Sequence, residues 1–271
     1  MSKIAFIGAG NMAEALMNGL ISSGVYKPAD VTGADISKQR LEYLNSKYGI
    51  KTTDKNSKAA KQADIIVLSV KPHHIHDVLE EINGGLEPDK IIISIAAGIS
   101  LSSIAQSLEN KTKLIRVMPN TPALVLAGAS VIYCNENVTA KEKERVKKIF
   151  ESVGIAHMVE DESLMDPATG LSGSGPAYVS IFIEALADGG VKMGLPRDMA
   201  HQLAAQTVFG TAKMIIEGDT HPAQFKDKVS SPGGTTIEGI HNLEKGGFRS
   251  SVISAVEGAT RRSKELSKGD K

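Results

Sequence analysis

"KIAFIGAGNMAEALMNGLISSG", Lys3 to Gly24, is the stretch on which the fold turns. Ile4 to Ile7 is an unbroken apolar run, which reads as a short strand covered on both faces. It leads without a spacer into Gly8-Ala9-Gly10-Asn11-Met12-Ala13, a GxGxxA pattern. Gly8 permits a tight turn, Gly10 lets backbone approach a pyrophosphate, and Ala13 is small enough for close helix–strand packing. Met12 to Gly24 then has helical spacing, and a helix that opens on such a loop aims its free N–H groups at phosphates. A second strand follows at Val31–Asp35. In that order of elements the loop reads as a dinucleotide site and not as a bare glycine turn.

Working outward, apolar runs continue to alternate with amphipathic segments. Lys38–Gly49 is a polar-faced helix and Asp64–Val70 a third strand. Lys90–Gly98 is a fourth strand, Leu101–Leu108 a helix, and Lys113–Met118 and Gly128–Cys134 two more strands. Ala140–Gly154 is a charged helix and Ile155–Glu160 a last strand. Strands without clean polar alternation imply a parallel sheet with helices on both faces. After residue 161 only helices are expected: Pro176–Gly194, Arg197–Gly218, the short "FKDKVS", Thr236–Gly247 and Arg249–Leu266, with "KELSKGDK" as a solvated tail. The expected fold is α/β: an N-terminal Rossmann-type dinucleotide-binding domain over 1–162, then an all-α domain over 163–271. The helix at Pro176–Gly194 is apolar almost all round, so it must be buried all round. A second subunit is the natural cover, and a homo-oligomer through this half is expected.

Composition removes several classes. Lys plus Arg number 31 and Asp plus Glu 31, so no net field draws the chain to nucleic acid or an anionic membrane. No apolar run is long enough for a membrane span, and the N-terminus lacks a signal-peptide core. The single cysteine, Cys134, forbids an internal disulfide and reads as a small hydrophobe in a strand. A cytoplasmic protein is expected. His73, His74 and His76 sit together, but no Cys or carboxylate set with ligand spacing accompanies them, so no metal is expected.

Further candidates lie at strand ends, where open α/β sheets bind ligands. Ser69-Val70-Lys71-Pro72 follows the third strand, and Met118-Pro119-Asn120-Thr121-Pro122 is a stiff loop after another. Either can line a nicotinamide pocket or merely turn the chain. Asp35 stands where an acidic residue holds the ribose 2′-OH of NAD, while Ser37, Lys38 and Arg40 suit a 2′-phosphate. Those signals point opposite ways. In the helical half, Ser230–Thr236, "SSPGGTT", breaks two helices. Gly233 and Gly234 let backbone come close to an anion, Pro232 fixes the entry, and Thr236 stands at the next helix start, either as its N-cap or facing a ligand. "LSGSGPAY", Leu171–Tyr178, is a second glycine break. It is not a hydrolase elbow, because Gly170-Leu171-Ser172-Gly173-Ser174 lacks the last glycine of GxSxG.

Taken together, "GAGNMA", "SVKP", "MPNTP", "LSGSGPAY" and "SSPGGTTIEGIHNLEKGGFR" resemble the pyrroline-5-carboxylate reductases over nearly the whole chain, with "SPGGTT" the most specific part. The resemblance implies reduction of L-1-pyrroline-5-carboxylate to L-proline, the last step of proline biosynthesis, with NADPH or NADH. It implies a homodimer interlocked through the C-terminal helices, often assembled into decamers. It also implies that Gly8, Gly10, Asn11 and Met12 line the pyrophosphate. Ser37 and Asn56 would lie near the adenosine ribose, and Val70, Lys71, Pro72, Ala96, Ala97 and Asn120 would surround the nicotinamide side. Ser231, Gly233, Gly234, Thr235 and Thr236 would hold the substrate, with Thr236 on the ring nitrogen. A protonated imine is already electrophilic, so placing the two rings in contact would supply most of the rate.

Two other classes compete. A β-hydroxyacid dehydrogenase shares this layout but needs an asparagine one turn after a helix lysine. Lys192 is followed here by Met193, Gly194, Leu195 and Pro196. A nucleotide-binding regulator has no use for a second glycine-built anion cradle.

Overall fold

A computed structural model describes residues 2–87, 89–108, 111–218 and 220–269. The chain divides into two compact units, Met1–Ser174 with Glu257–Lys271, and Gly175–Val256.

The first unit carries β1 (Ile4–Ile7), α1 (Asn11–Ser22), β2 (Val31–Ala34), α2 (Lys38–Tyr48), β3 (Lys51–Thr53), α3 (Asn56–Gln62) and β4 (Ile65–Leu68). Then come α4 (Ile75–Asn83), β5 (Ile91–Ser94), α5 (Leu101–Gln106), β6 (Lys113–Met118), β7 (Gly128–Cys134), α6 (Ala140–Glu151), β8 (Gly154–Val159) and α7 (Met165–Ala168). The strands form one eight-stranded sheet in the order β3-β2-β1-β4-β5-β6-β7-β8. Every residue of β1, β4 and β5 is buried, as their unbroken apolar runs require. Alternate side chains feed two cores. Ile4 and Phe6 pack with Leu16, Met17, Leu20 and Phe150, on the α1 and α6 face. Ala5 and Ile7 pack with Ala59, Ala60, Ile75 and Leu79, on the α3 and α4 face.

The sheet departs from the all-parallel expectation at one pair. β7 runs antiparallel to β6, with Val117 opposite Ile132. Only a short loop joins these two strands, and a parallel crossover needs a dozen residues or more. Burial along β7 alternates accordingly, one residue in and one out. β3 and α3 were not expected at all. β3 is three polar residues at the sheet edge, too short and too exposed to leave a hydrophobic signature.

Lys90 closes a gap beneath this edge. Its ammonium, on a residue only 6% exposed, donates to Ala60 O at 3.1 Å, Lys61 O at 2.9 Å and Ala63 O at 2.8 Å. Ala60 O also accepts from Ala63 N–H at 3.3 Å, while the other two are of the kind a helix end leaves unpaired, and a cation there meets the negative end of the helix dipole. Lys90→Met keeps the stem but takes the ammonium donor from all three carbonyls, leaving Ala60 O only its bond from Ala63 N–H. We expect a loss of about 3 kcal/mol of stability in urea titration; a change under about 0.5 kcal/mol would show the carbonyls find other partners.

The C-terminal part of the last helix also belongs to this unit. Ser263, 4% exposed, donates to Asp166 at 2.7 Å, and Asp166 shares the buried Arg116 with Glu162. A Cβ on Gly98 would lie 3.0 Å from Cβ of Leu266. The tail beyond Ser263 is exposed at Lys264, Glu265 and Leu266, as a solvated end requires; its last two residues, 270 and 271, lie outside the described residues.

The second unit holds α8 (Gly175–Lys192), α9 (Arg197–Glu217), α10 (Pro222–Lys228), α11 (Thr235–Lys245) and the start of α12 (Phe248–Gly269). α8 and α9 pair through Ala187, Ala200 and Ala204, with Ile183 and Val191 partly covered. Phe182 meets Phe248 at 5.6 Å between ring centroids. Ala187 is the one described residue of α8 that is fully buried within the single chain. Ile181, Phe209, Met214 and Ile216 stand 58–80% exposed. Such surface is out of proportion to a monomer.

The glycine-rich "LSGSGPAY" does not break the helices. Thr169–Gly173 is a π-helical turn between α7 and α8, closed by Ser174 N–H to Thr169 O at 2.9 Å. Gly173 is small because a Cβ there would strike the end of Met118.

Candidate functional site

The order of strands reverses at β1, whose neighbours are β2 on one side and β4 on the other. Crevices outside such a switch point are where doubly wound sheets take ligands. The loops that open here are Gly8–Gly10 after β1 and Ser69–Lys71 after β4. They touch: Gly8 has φ of +87°, and a Cβ on it would lie 2.8 Å from both Ser69 O and Val70 Cγ1. Ser69 ties them further, donating from Oγ to Gly8 O at 2.6 Å and lying 3.1 Å from Ile7 O.

α1 begins at Asn11 with Gly10 as its N-cap, and no side chain caps the first turn. The turn's N–H groups are left for an anion. A Cβ on Gly10 would meet nothing within 4 Å, so the space over the loop is open. This donor set and this clearance fit a pyrophosphate.

Along the same edge of the sheet come the other expected residues. Ser37 caps α2, accepting from Arg40 N–H, and its hydroxyl proton remains available. Asn56 opens α3 and donates to Glu81 at 2.8 Å. Lys71 is exposed in the loop after β4, and Pro72 starts a short turn. Ala96 is buried and Ala97 exposed beyond β5. Asn120, beyond β6, uses both ends of its amide: Oδ1 accepts from Ala129 N–H at 2.8 Å and Nδ2 donates to Ser172 O at 3.1 Å. Its visible work is to hold the loop to β7 and to the π turn.

Sequence reasoning missed the network under the glycine loop. Glu14 accepts from Arg40, Lys47, Tyr43 and Tyr48 at 2.5–3.1 Å. No spacing rule links a glutamate on α1 to four donors on α2, so no local signal could have shown it. Burial alone would raise the Glu14 carboxyl, but hydrogen bonds from Tyr48, Lys47, Arg40 and Tyr43 outweigh it and hold the value at about 2, against an ordinary 4.5. In the unfolded chain the group takes up its proton as pH falls through about 4.5, while the folded chain resists to about 2. The network's stabilisation is thus whole above pH 4.5 and drains away between 4.5 and 2. Urea midpoints should fall across that window, and Glu14→Gln should flatten the fall. Parallel curves for both proteins would remove Glu14 as the cause.

The histidines disperse. His73 and His74 are exposed on the turn after β4, whereas His76 lies in α4, with its ring nitrogens 3.1 Å from Ser107 Oγ and 3.2 Å from Ser103 Oγ. Cys134 is buried, and burial pushes its thiol up to about 11, as suits a packed hydrophobe.

In the second unit, Ser230–Gly234 turns the chain between α10 and α11. Gly233 has φ of +67°, and Gly234 N–H donates to Ser231 O at 3.1 Å. The N-cap of α11 is Gly234, so Thr236 is not the cap; it is the second residue of the helix. Among the described residues the hydroxyls of Ser231, Thr235 and Thr236 make no hydrogen bond, and all three residues are exposed. A helix of eleven residues thus opens on an uncapped glycine with free hydroxyls beside it.

A doubly wound sheet with GxGxxA at its switch point, followed by a helical unit, defines a nucleotide-dependent oxidoreductase fold. The curated pyrroline-5-carboxylate reductases of Methanosarcina acetivorans and Escherichia coli are 46% and 44% identical to the chain, each aligned over 98% of both sequences. The chain belongs to the pyrroline-5-carboxylate reductase family. The family model for pyrroline-5-carboxylate reductase dimerisation matches residues 162–266, and that for coenzyme F420-dependent NADP oxidoreductases matches 3–98. Among solved structures, the reductase from Coxiella burnetii superposes with a TM-score of 0.93 at 38% identity, covering 98% of each chain. The Plasmodium falciparum enzyme, solved with NADP bound, gives 0.88 at 37%, again over 98% of each chain. The dimerisation match, with the apolar surface of α8 and α9, marks this half as the oligomerising part of the chain. No helix among the described residues is long and apolar enough to cross a membrane.

Proposed function

We propose that this protein reduces L-1-pyrroline-5-carboxylate to L-proline with NADPH or NADH, the last step of proline biosynthesis. The observation that carries the reading is identity of 46% along 98% of a named reductase, in a chain that keeps both glycine-built helix starts.

The reduced nicotinamide supplies a hydride for the imine carbon. Everything else is binding and orientation by this chain. Gly8, Gly10, Asn11 and Met12 hold the pyrophosphate on the α1 N-terminus, with Ser37 and Asn56 toward the adenosine ribose. Val70, Lys71, Pro72, Ala96, Ala97 and Asn120 bound the nicotinamide side. Ser231, Gly233, Gly234 and Thr235 receive the substrate carboxylate through backbone N–H groups and hydroxyls, so no cation is needed to bind it. The Thr236 hydroxyl holds the ring nitrogen and keeps its proton in place. In function, residues 1–162 supply the cofactor contacts and 163–271 the substrate and dimerisation contacts, although the end of the last helix folds with the first unit. The working form is a cytoplasmic homodimer, able to build a decamer, without metal and without nucleic-acid or membrane partners.

A steady-state assay with the imine, following nicotinamide absorbance with each cofactor, tests this. Substrate-dependent oxidation is expected. A folded protein that binds cofactor yet never turns over would sink the proposal.

A further inference from the structure

The acidic residue after β2 and the arginine in α2 face inward. Asp35 Oδ2 accepts from Ala9 N–H at 2.8 Å, and its Oδ1 accepts from Ser37 N–H at 2.9 Å. From the other side, Arg40 Nε donates to Ala9 O at 2.6 Å and Nη2 to Gly10 O at 3.3 Å. Both polar groups of Ala9, the middle residue of the glycine loop, are therefore spoken for. The guanidinium is 22% exposed and its charge is balanced by Glu14 at 2.5 Å, itself 13% exposed and held by two tyrosines and a lysine.

We infer that Asp35 and Arg40 are positioning residues that serve the dinucleotide through its loop, fixing the Ala9 and Gly10 peptides so that the α1 N–H groups face the pyrophosphate. Arg40 is then no 2′-phosphate ligand, and Asp35 is no signature of NAD preference. A residue spacing that elsewhere reports cofactor choice has here been turned to loop rigidity. The chemistry supports this. A floppy glycine loop must be ordered each time it binds, and ordering it beforehand improves affinity for any ligand with the same pyrophosphate. An arginine fork already engaged with two carbonyls and a carboxylate has its charge offset by that carboxylate and its donors turned away from a 2′-phosphate.

The inference rests on the proposed function only for the class of cofactor, and the binding measurements that decide it need no substrate. Dissociation constants for NADPH and NADH are measured by calorimetry on the wild type, Arg40→Met and Arg40→Lys. Both cofactors should weaken by the same factor, about tenfold for Arg40→Met, with their ratio constant within about twofold. Arg40→Lys keeps a charge but not a fork, and should show the same shared loss in smaller measure. At saturating cofactor, kcat should change far less than KM. Selective loss of NADPH binding in either variant would overturn the inference, since that marks a phosphate ligand. Unchanged binding of both cofactors would overturn it too, as would a drop in Tm and kcat without the shared change in affinity. A wild type that binds both cofactors but reduces nothing would defeat the proposed function and leave this test intact.

Discussion

Thr236→Val is expected to lower kcat/KM for the imine about 100-fold while leaving the affinity for NADPH unchanged. The hydroxyl is exposed in the first turn of α11, and among the described residues it makes no hydrogen bond. Its energy is thus free to be spent on a ligand, and removing one well-placed donor to a reacting group commonly costs two to three orders of magnitude. The correction to the helix start matters here. Had Thr236 been the N-cap, its loss would cost about 1 kcal/mol of stability and confuse the reading. Because Gly234 is the cap, valine costs only the few tenths of a kcal/mol by which helices disfavour it. A normal Tm with a ruined kcat/KM is the expected pair of results. A kcat/KM within threefold of wild type would remove Thr236 from the chemistry.

The two glycines of the cofactor loop should fail in different ways. Gly8→Ala forces a side chain onto a φ of +87° and places Cβ 2.8 Å from a backbone oxygen of Ser69, which cannot swing aside. We expect about 3 kcal/mol of destabilisation and loss of cofactor binding beyond 100-fold, since the β1 and β4 loops must separate. Gly10→Ala meets no atom of the chain within 4 Å and its φ is an ordinary −69°. It should fold as well as wild type yet bind cofactor at least tenfold more weakly, because the methyl group fills the approach to the pyrophosphate. Thermal melts and calorimetry on the pair decide it. Wild-type affinity in Gly10→Ala would place the pyrophosphate elsewhere.

Much of this was legible in the chain because it is local. The run Ile4–Ile7, the GxGxxA loop and the helix after it have periodicities that need no tertiary information. So do the long helices of the second unit and the glycine turn before α11. What stayed hidden depends on contacts between distant segments. β3 has no apolar signature, and its pairing with β2 exists only once α2 has turned the chain back. The direction of β7 is set by the shortness of a loop. The inward turn of Asp35 and Arg40 depends on where α2 lies beside the glycine loop, and a sequence rule built on exposed ribose contacts reads them the other way. "LSGSGPAY" misled for a related reason: Gly173 lies close against Met118 within a π turn, which pattern alone cannot tell from a helix stop.

The dinucleotide unit is discontinuous in sequence, closed by residues after 257 that return to Asp166 and Gly98. During synthesis the sheet and its glycine loop leave the ribosome before the helical unit, but the segment that seals them is made only after it. Buried Asp166 and Arg116 must wait, uncovered, while the whole helical unit is translated. Completion of the cofactor-binding half is thereby tied to synthesis of the helical unit, and a product truncated before Ser263 would keep the cofactor fingerprint without the closure around Asp166.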